Sequence, residues 1–308
     1  VFKLWAVNVS SKVESGKAMY NINVFLTVVT VLITCGFLVL WGSKVISSAY
    51  LLKAESYYIE QKKIYAEKEP SLNQREDFVK RMTGYYSKAL KFDNKDPLVN
   101  RKLGLMYLEQ VGIAAEKYSK NKESEEANAI IKNIGQWKNY AIDSIRKSID
   151  RSPAIYANWE ARARVYMGLV GFGFYDYTAD ALFSLEKAIE LNPLNFELYY
   201  YKAQLNVISG DKDGALSALT QVLGINPQHV ASIMLAGEIN KEKGNIEVYE
   251  SYLKAAKKIL EIQGNTDVEQ YREISNQLNE LAKDDSKGEV KEEETTPVVE
   301  TAPAEAGE

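Results

Sequence analysis

The sequence predicts an all-α fold in which helix hairpins stack into a solenoid behind one membrane-spanning helix. Pro193 and Pro227 are 34 residues apart, and the segment between them has the pattern of two amphipathic helices joined by a turn. A triplet of packing residues recurs in five such segments at fixed offsets, and the apolar run Val24–Trp41 precedes them all. A constant period of this length is typical of solenoids, because one hairpin buries its apolar face only against its neighbours.

The first element is the apolar run, whose 18 residues would form a helix about 27 Å long at 1.5 Å per residue. That length suits a membrane span, and Tyr20 and Trp41 lie where aromatic rings favour the headgroup level. We therefore predict that the lipid bilayer binds the chain through Val24–Trp41. A cleaved signal sequence is the alternative, although its apolar part is normally shorter, about 7–15 residues.

The charges around the span bear on topology and location. Lysines flank the run on both sides, and their count gives the orientation only a slight preference for an internal N-terminus. We expect a single-pass protein of the bacterial inner membrane, with the following domain on the extracytoplasmic side. Because the chain starts at Val1 and not at Met, we also expect it to be a piece of a longer protein.

The second element continues the first, because helical spacing of apolar residues persists beyond the run and no proline occurs before Pro70. The span is thus predicted to continue into the first helix of the first hairpin. The predicted organisation is an N-terminal flank at 1–23, a transmembrane helix at 24–46, a juxtamembrane helix at 47–69, a solenoid at 70–265 with units ending near 94, 153, 193, 227 and 261, a capping helix at 266–283 and a disordered acidic tail at 284–308.

The solenoid is defined by triplets that close the second helix of each hairpin, where a small residue lets two helices approach and a larger one fills the space between them. They are Met82/Tyr86/Ala89, Ala141/Ile145/Ser148, Ala181/Leu185/Ala188, Ala215/Leu219/Val222 and Tyr249/Leu253/Ala256. Gly210 and Gly244 fall where first helices must end, as expected of left-handed terminating residues.

Two units are longer than the period. Asn94 and Pro153 are 59 residues apart, 25 more than the period, which predicts two lengthened helices joined near 121–124. The next unit has extra residues in the Gly- and aromatic-rich segment GLVGFGFYDYTAD, which we expect to be a loop with a role in specificity. The tail at 284–308 carries nine acidic residues and two lysines and has few large apolar residues, as is typical of disorder.

Catalytic and metal-binding chemistry is not indicated. His229 is the only histidine, so a paired-histidine zinc site cannot be assembled from this chain. The only cysteine, Cys35, lies within the predicted span, so no Cys–His dyad is expected in the domain that follows. Asp211-Lys212-Asp213 has a D-x-D form but falls at a repeat turn, where Gly-Asp is ordinary. We predict no enzyme activity, no cofactor, no metal and no nucleic-acid partner for this chain, and an enzymatic region upstream of Val1 remains open.

The first helices carry parts of the pattern W-x2-L-G-x2-Y, with Trp159 and Tyr166 in one unit and Leu103, Gly104 and Tyr107 in another. With the triplets, this resembles the tetratricopeptide repeat family. The resemblance implies a right-handed α-solenoid of about four to five hairpins, whose first helices line a concave groove for a protein or peptide partner. Repeat phase assigns to that groove Arg101, Glu160, Arg164, Tyr200, Tyr201, Gln204 and Glu238.

Two alternatives stay open for these groove residues and for the chain. One alternative is that the groove residues bind no partner and serve only to pack against neighbouring helices. The order of a membrane helix, stretched repeats and a Pro/Glu-rich tail also resembles the C-terminal part of bacterial O-antigen ligase-like or polymerase-like membrane proteins that carry such repeats. The predicted function is therefore a membrane-anchored interaction scaffold or, alternatively, the non-catalytic end of such a glycan enzyme.

Overall fold

A computed structural model describes residues 2–292, with side chains from 27 to 283. Within these residues the chain forms 11 α-helices and one 3-10 turn and no β-strand, which confirms the all-α prediction. The chain divides into two compact units, Val1–Tyr177 (unit 1) and Thr178–Glu308 (unit 2).

Helix α1 is a single element, Phe2–Glu67, and includes the residues predicted as flank, span and juxtamembrane helix. From Thr27 onward it is the one helix of the described side chains that is long and apolar enough to cross a membrane, a test that a signal sequence also passes. Its apolar residues between Val31 and Trp41 are exposed on every face. Farther along, Tyr50, Leu51 and Ala54 pack against the second helix of the first hairpin.

The remaining helices of unit 1 begin at recognisable caps. Ser71 forms a capping box with Gln74, and Asp96 accepts hydrogen bonds from the backbone of the helix that begins with Pro97. Lengthened helices occur where they were predicted, and they are joined by residues 121–126. The elements are α2 (Leu72–Phe92), α3 (Pro97–Lys120), α4 (Ala127–Arg151), α5 (Tyr156–Gly171) and the 3-10 turn Tyr175–Tyr177.

Unit 2 contains two regular hairpins between its first and last helices. Gly210 and Gly244 adopt φ values of 81° and 82° at the ends of first helices, as predicted for residues without a Cβ. The elements are α6 (Thr178–Leu191), α7 (Phe196–Ile208), α8 (Lys212–Ile225), α9 (Val230–Glu242), α10 (Ile246–Ile262) and α11 (Glu269–Glu292).

The end of α11 corrects one predicted boundary. The capping helix was expected to stop at residue 283, but α11 extends to Glu292. Residues 284–292 include helix-favouring Lys and Glu, and the first proline of this region is Pro297, so their acidic composition alone does not end the helix. The rest of the predicted tail, 293–308, lies outside the described residues.

The closing triplets are part of the core, as their spacing predicts. All fifteen triplet residues are buried, and none is more than 2% exposed. Gly104 shows why small residues are needed, because a Cβ there would lie 2.7 Å from Ile145 Cγ1 on the facing helix. Helices α3 and α4 therefore approach more closely than a side chain at Gly104 would permit.

Candidate protein-binding surfaces

Among the predicted groove residues of unit 1, Arg101 is hydrogen-bonded within the fold, whereas Arg164 is exposed. Arg101 Nη1 donates a 3.1 Å hydrogen bond to Oδ1 of Asn158, a side chain only 1% exposed. Asn158 Nδ2 in turn donates to the carbonyl oxygens of Ser148 and Ser152 at 3.3 and 2.9 Å, near the end of α4. Arg101 thus helps to join α3, α4 and α5, whereas Arg164 on α5 is exposed.

In unit 2, Tyr200 and Gln204 are brought together on α7. A hydrogen bond with Gln204 opposes the effect of burial, and burial is the stronger, so the pKa of Tyr200 is raised. The Tyr200 ring meets the His229 imidazole edge-on at a centroid distance of 5.0 Å. Phe196 approaches the same imidazole at 5.1 Å.

His229 therefore has a structural role that the sequence analysis did not predict. Its Nδ1 lies 2.7 Å from Ser232 Oγ at the start of α9. Burial lowers the pKa of His229, which favours the neutral imidazole that packs against the two aromatic rings. The signal was the spacing of Phe196 and Tyr200 by one helical turn, which places both rings on one face of α7.

Glu238 on α9 is also engaged within the fold. It accepts a hydrogen bond of 3.3 Å from the Tyr249 hydroxyl, which also lies 3.1 Å from Gln277 Oε1 on α11. Burial and then the neighbouring Glu238 carboxylate raise the pKa of Tyr249 to about 12. Of the other predicted residues, Glu160 and Tyr201 are half-buried and each interacts with a neighbour.

An apolar pocket in unit 1 was not predicted. It has a volume of about 440 Å³ and lies between the C-terminal part of α1, the N-terminal part of α2 and α3. Its wall includes Tyr58 and Tyr65, whose ring centroids both lie 6.3 Å from that of Phe78. The full lining is Tyr58, Gln61, Lys62, Tyr65, Ala66, Pro70, Arg75, Phe78, Val79 and Glu109.

The rim of this pocket is charged. Arg75 Nη1 makes a 3.0 Å ion pair with Glu116, and its Nη2 lies 4.0 Å from Glu109 Oε2. Lys62 at the same rim is exposed. A concave apolar site with a few oriented charges is the usual form of a binding pocket.

The acidic residues of the D-x-D segment have structural roles. Among the described side chains, no group of three or more His, Cys, Asp or Glu residues is placed to hold a metal ion. The D-x-D segment is used by the fold, because Asp211 Oδ1 accepts from the Gly214 backbone at 2.9 Å and Asp213 pairs with Lys243 at 2.6 Å. Each of the two carboxylates therefore has a partner within the protein.

Comparison with known proteins identifies one repeat by sequence. A family model described as tetratricopeptide repeat matches residues 184–217, which run from α6 through α7 into α8. No curated protein sequence matches the chain. The family model thus covers part of unit 2, and the other hairpins are assigned from their buried triplets.

Several solved structures are similar at low identity. The crystal structure of MamA is 20% identical with a TM-score of 0.47, and the match covers 61% of this chain and 92% of that chain. TTC0263, a thermophilic TPR protein in Thermus thermophilus, is 16% identical with a TM-score of 0.48 over 72% and 97% of the two chains. YrrB, described as a TPR protein with an unusual peptide-binding site, is 18% identical with a TM-score of 0.44 over 72% and 99%.

Proposed function

We propose that this chain is a membrane-anchored scaffold that binds a protein partner on its helix hairpins. The repeat match at 184–217 and the buried triplets support the scaffold, since hairpins of this kind form extended surfaces for other proteins. The bacterial inner membrane remains the proposed location, with the repeats on the extracytoplasmic side, and it rests on the sequence pattern alone.

The anchor is supported by the exposure of α1. Apolar side chains from Val31 to Trp41 are uncovered all around the helix, and the described part of the chain offers them no core. An apolar residue left in water forfeits about 1.5–3 kcal/mol of burial free energy. Such a helix therefore needs a hydrocarbon environment, which a bilayer supplies.

The apolar pocket between α1, α2 and α3 is the observation that carries the binding proposal. Its lining includes the apolar side chains of Phe78 and Val79, the aromatic rings of Tyr58 and Tyr65, and the exposed cation Lys62. We propose that it takes an aromatic or large aliphatic side chain of an extended or helical peptide. A carboxylate next to that anchor residue would pair with Lys62.

A two-site substitution tests the pocket with little risk to folding. Tyr58 is 44% exposed and Lys62 is exposed, so Tyr58→Ala/Lys62→Ala should leave the core intact. We expect partner affinity to fall about tenfold or more, because an anchor in a pocket contributes about 2 kcal/mol. The measurement is a crosslinking pull-down from the source membrane, followed by titration of the recovered protein against each variant.

Tyr175→Ala/Lys122→Ala is the matched control, since it removes an exposed tyrosine and an exposed lysine elsewhere in unit 1. Equal affinity of the pocket variant and the wild type would refute the pocket. If Tyr200→Ala/Tyr201→Ala/Gln204→Ala then lost the partner, the binding site would be the predicted groove surface of α7.

The glycan-enzyme alternative depends on sequence upstream of Val1. No observation among the described residues favours it over the scaffold. About ten further membrane spans encoded upstream would be the arrangement expected of a polytopic enzyme.

A further inference from the structure

Charge is segregated along the first hairpin of unit 1. Neither residues 42–54 of α1 nor residues 78–92 of α2 contain an acidic side chain. The first segment carries Lys44 and Lys53. The second carries Lys88 and Lys91 near its end, and all four lysines are exposed. Just beyond the first segment, Glu55 is paired with Lys102 of α3.

Two of these lysines, Lys53 and Lys88, meet an aromatic pair formed by Tyr50 and Phe92. The Tyr50 ring stacks on Phe92 with a centroid distance of 6.1 Å and an interplanar angle of 15°. Lys53 Nζ lies 5.5 Å from the centroid of the Tyr50 ring, and Lys88 Nζ lies 6.0 Å from it. Phe92 is nevertheless 40% exposed, so the cluster presents both ammonium groups and an aromatic ring to its surroundings.

The cluster lies close to where α1 would leave a bilayer. Tyr50 follows Trp41 by nine residues in one unbroken helix, which is about 14 Å. A headgroup layer is about 5–8 Å thick on each side of the hydrocarbon core, and the Debye length at physiological salt adds about 8 Å. The lysines around Tyr50 are thus within range of the surface charge of the membrane.

We infer that Lys44, Lys53, Lys88 and Lys91, with Tyr50 and Phe92, form a basic collar that binds the headgroups of anionic phospholipids. This inference rests on the proposed membrane anchor. A lipid phosphate accepts hydrogen bonds from lysine ammonium groups, and an exposed aromatic ring suits the headgroup level. The collar would hold the first hairpin against the bilayer surface, in addition to the span itself.

The test uses the full chain in neutral detergent, with short-chain phosphatidylglycerol as the probe. Its apparent affinity is obtained from the rise in thermal unfolding midpoint as lipid is added. We expect phosphatidylglycerol to stabilise the wild type and phosphatidylcholine to have no effect. Lys53→Gln/Lys88→Gln/Lys91→Gln should weaken phosphatidylglycerol binding about tenfold or more.

Lys63→Gln/Lys68→Gln/Lys122→Gln is the control, because it removes the same charge from exposed lysines elsewhere in unit 1. It should bind phosphatidylglycerol as the wild type does. If the triple collar variant is unstable without lipid, Lys44→Gln/Lys91→Gln replaces it, since neither lysine is among those stacked on Tyr50.

Three results would overturn the collar. Equal binding by the collar and control variants would show that these lysines are not the site. A matching response to phosphatidylcholine would show that headgroup charge is not recognised, and a matching response to glycerol phosphate would indicate a free-phosphate site. Failure of the anchor itself is measured separately, as release of the wild type from membranes by carbonate.

Discussion

Ala215→Trp should unfold the chain at a clearly lower denaturant concentration than the wild type, with a loss of about 1–3 kcal/mol or more. Ala215 is completely buried, and it packs with Ala203 of α7 and Ala236 of α9 in one cluster. An indole at this position would force the helices of the hairpin apart, because the interior has no space for it. Chemical denaturation of the detergent-solubilised chain, followed by circular dichroism, measures the effect.

Thr220→Trp provides the matched control. Thr220 lies on the same helix, α8, but is exposed, so the same large side chain should be accommodated there with little change in stability. If Ala215→Trp unfolded at the wild-type denaturant concentration, the repeat phase proposed for α7 and α8 would be wrong.

Leu32→Arg should reduce the ratio of membrane-integrated to carbonate-extractable chain about a hundredfold. An arginine at the centre of a membrane helix costs about 2.5–3.5 kcal/mol on insertion scales. Leu32 is 66% exposed in the protein alone, so the change removes little internal packing. The measurement is carbonate extraction of freshly synthesised chain in the presence of membranes.

Leu52→Arg is the control that separates the cost of arginine in the bilayer from its cost elsewhere on the same helix. Leu52 lies on the same helix and is 67% exposed, but it follows Trp41 and falls outside the apolar run. It should therefore integrate as the wild type does. An equal loss in both variants, or in neither, would contradict the assignment of the span to Val24–Trp41.

The core could be predicted from the sequence because its determinants are local. Each triplet places its residues on one face of one helix, as with Ala141, Ile145 and Ser148, and the spacing alone specifies that face. The turns were equally accessible, since Gly210 and Gly244 adopt a backbone conformation that favours glycine over other residues.

The candidate binding surfaces were less predictable because they depend on contacts between distant parts of the chain. Arg101 was assigned to the groove from repeat phase, but its partner Asn158 is 57 residues away and no periodicity indicates that hydrogen bond. The apolar pocket likewise requires Tyr58 to approach Phe78 and Glu109 on two other helices. The spacing of the aromatic residues of α1 predicted the apolar face of a helix, but it did not predict a pocket.

The tail shows the limit of composition as a guide. Its acidic and polar residues predicted disorder from residue 284, yet the backbone stays helical to Glu292. Composition reports how little apolar area a segment can bury. Composition does not determine the residue at which a packed helix ends. Helix α11 is such a helix, because Ile274 lies in the core.

Thiol accessibility of Cys35 tests the membrane-anchored scaffold most directly. Cys35 is the only cysteine, lies within the apolar run and is exposed in the protein alone, so the fold itself would not shield it. In open membrane fragments we expect Cys35 to resist a water-soluble maleimide and to react once detergent and denaturant are added. Cys35→Ser/Ser48→Cys, with its thiol at an exposed position of α1 beyond the run, should react in the membranes. Labelling of Cys35 at the same rate as the cysteine at position 48 would contradict the anchor.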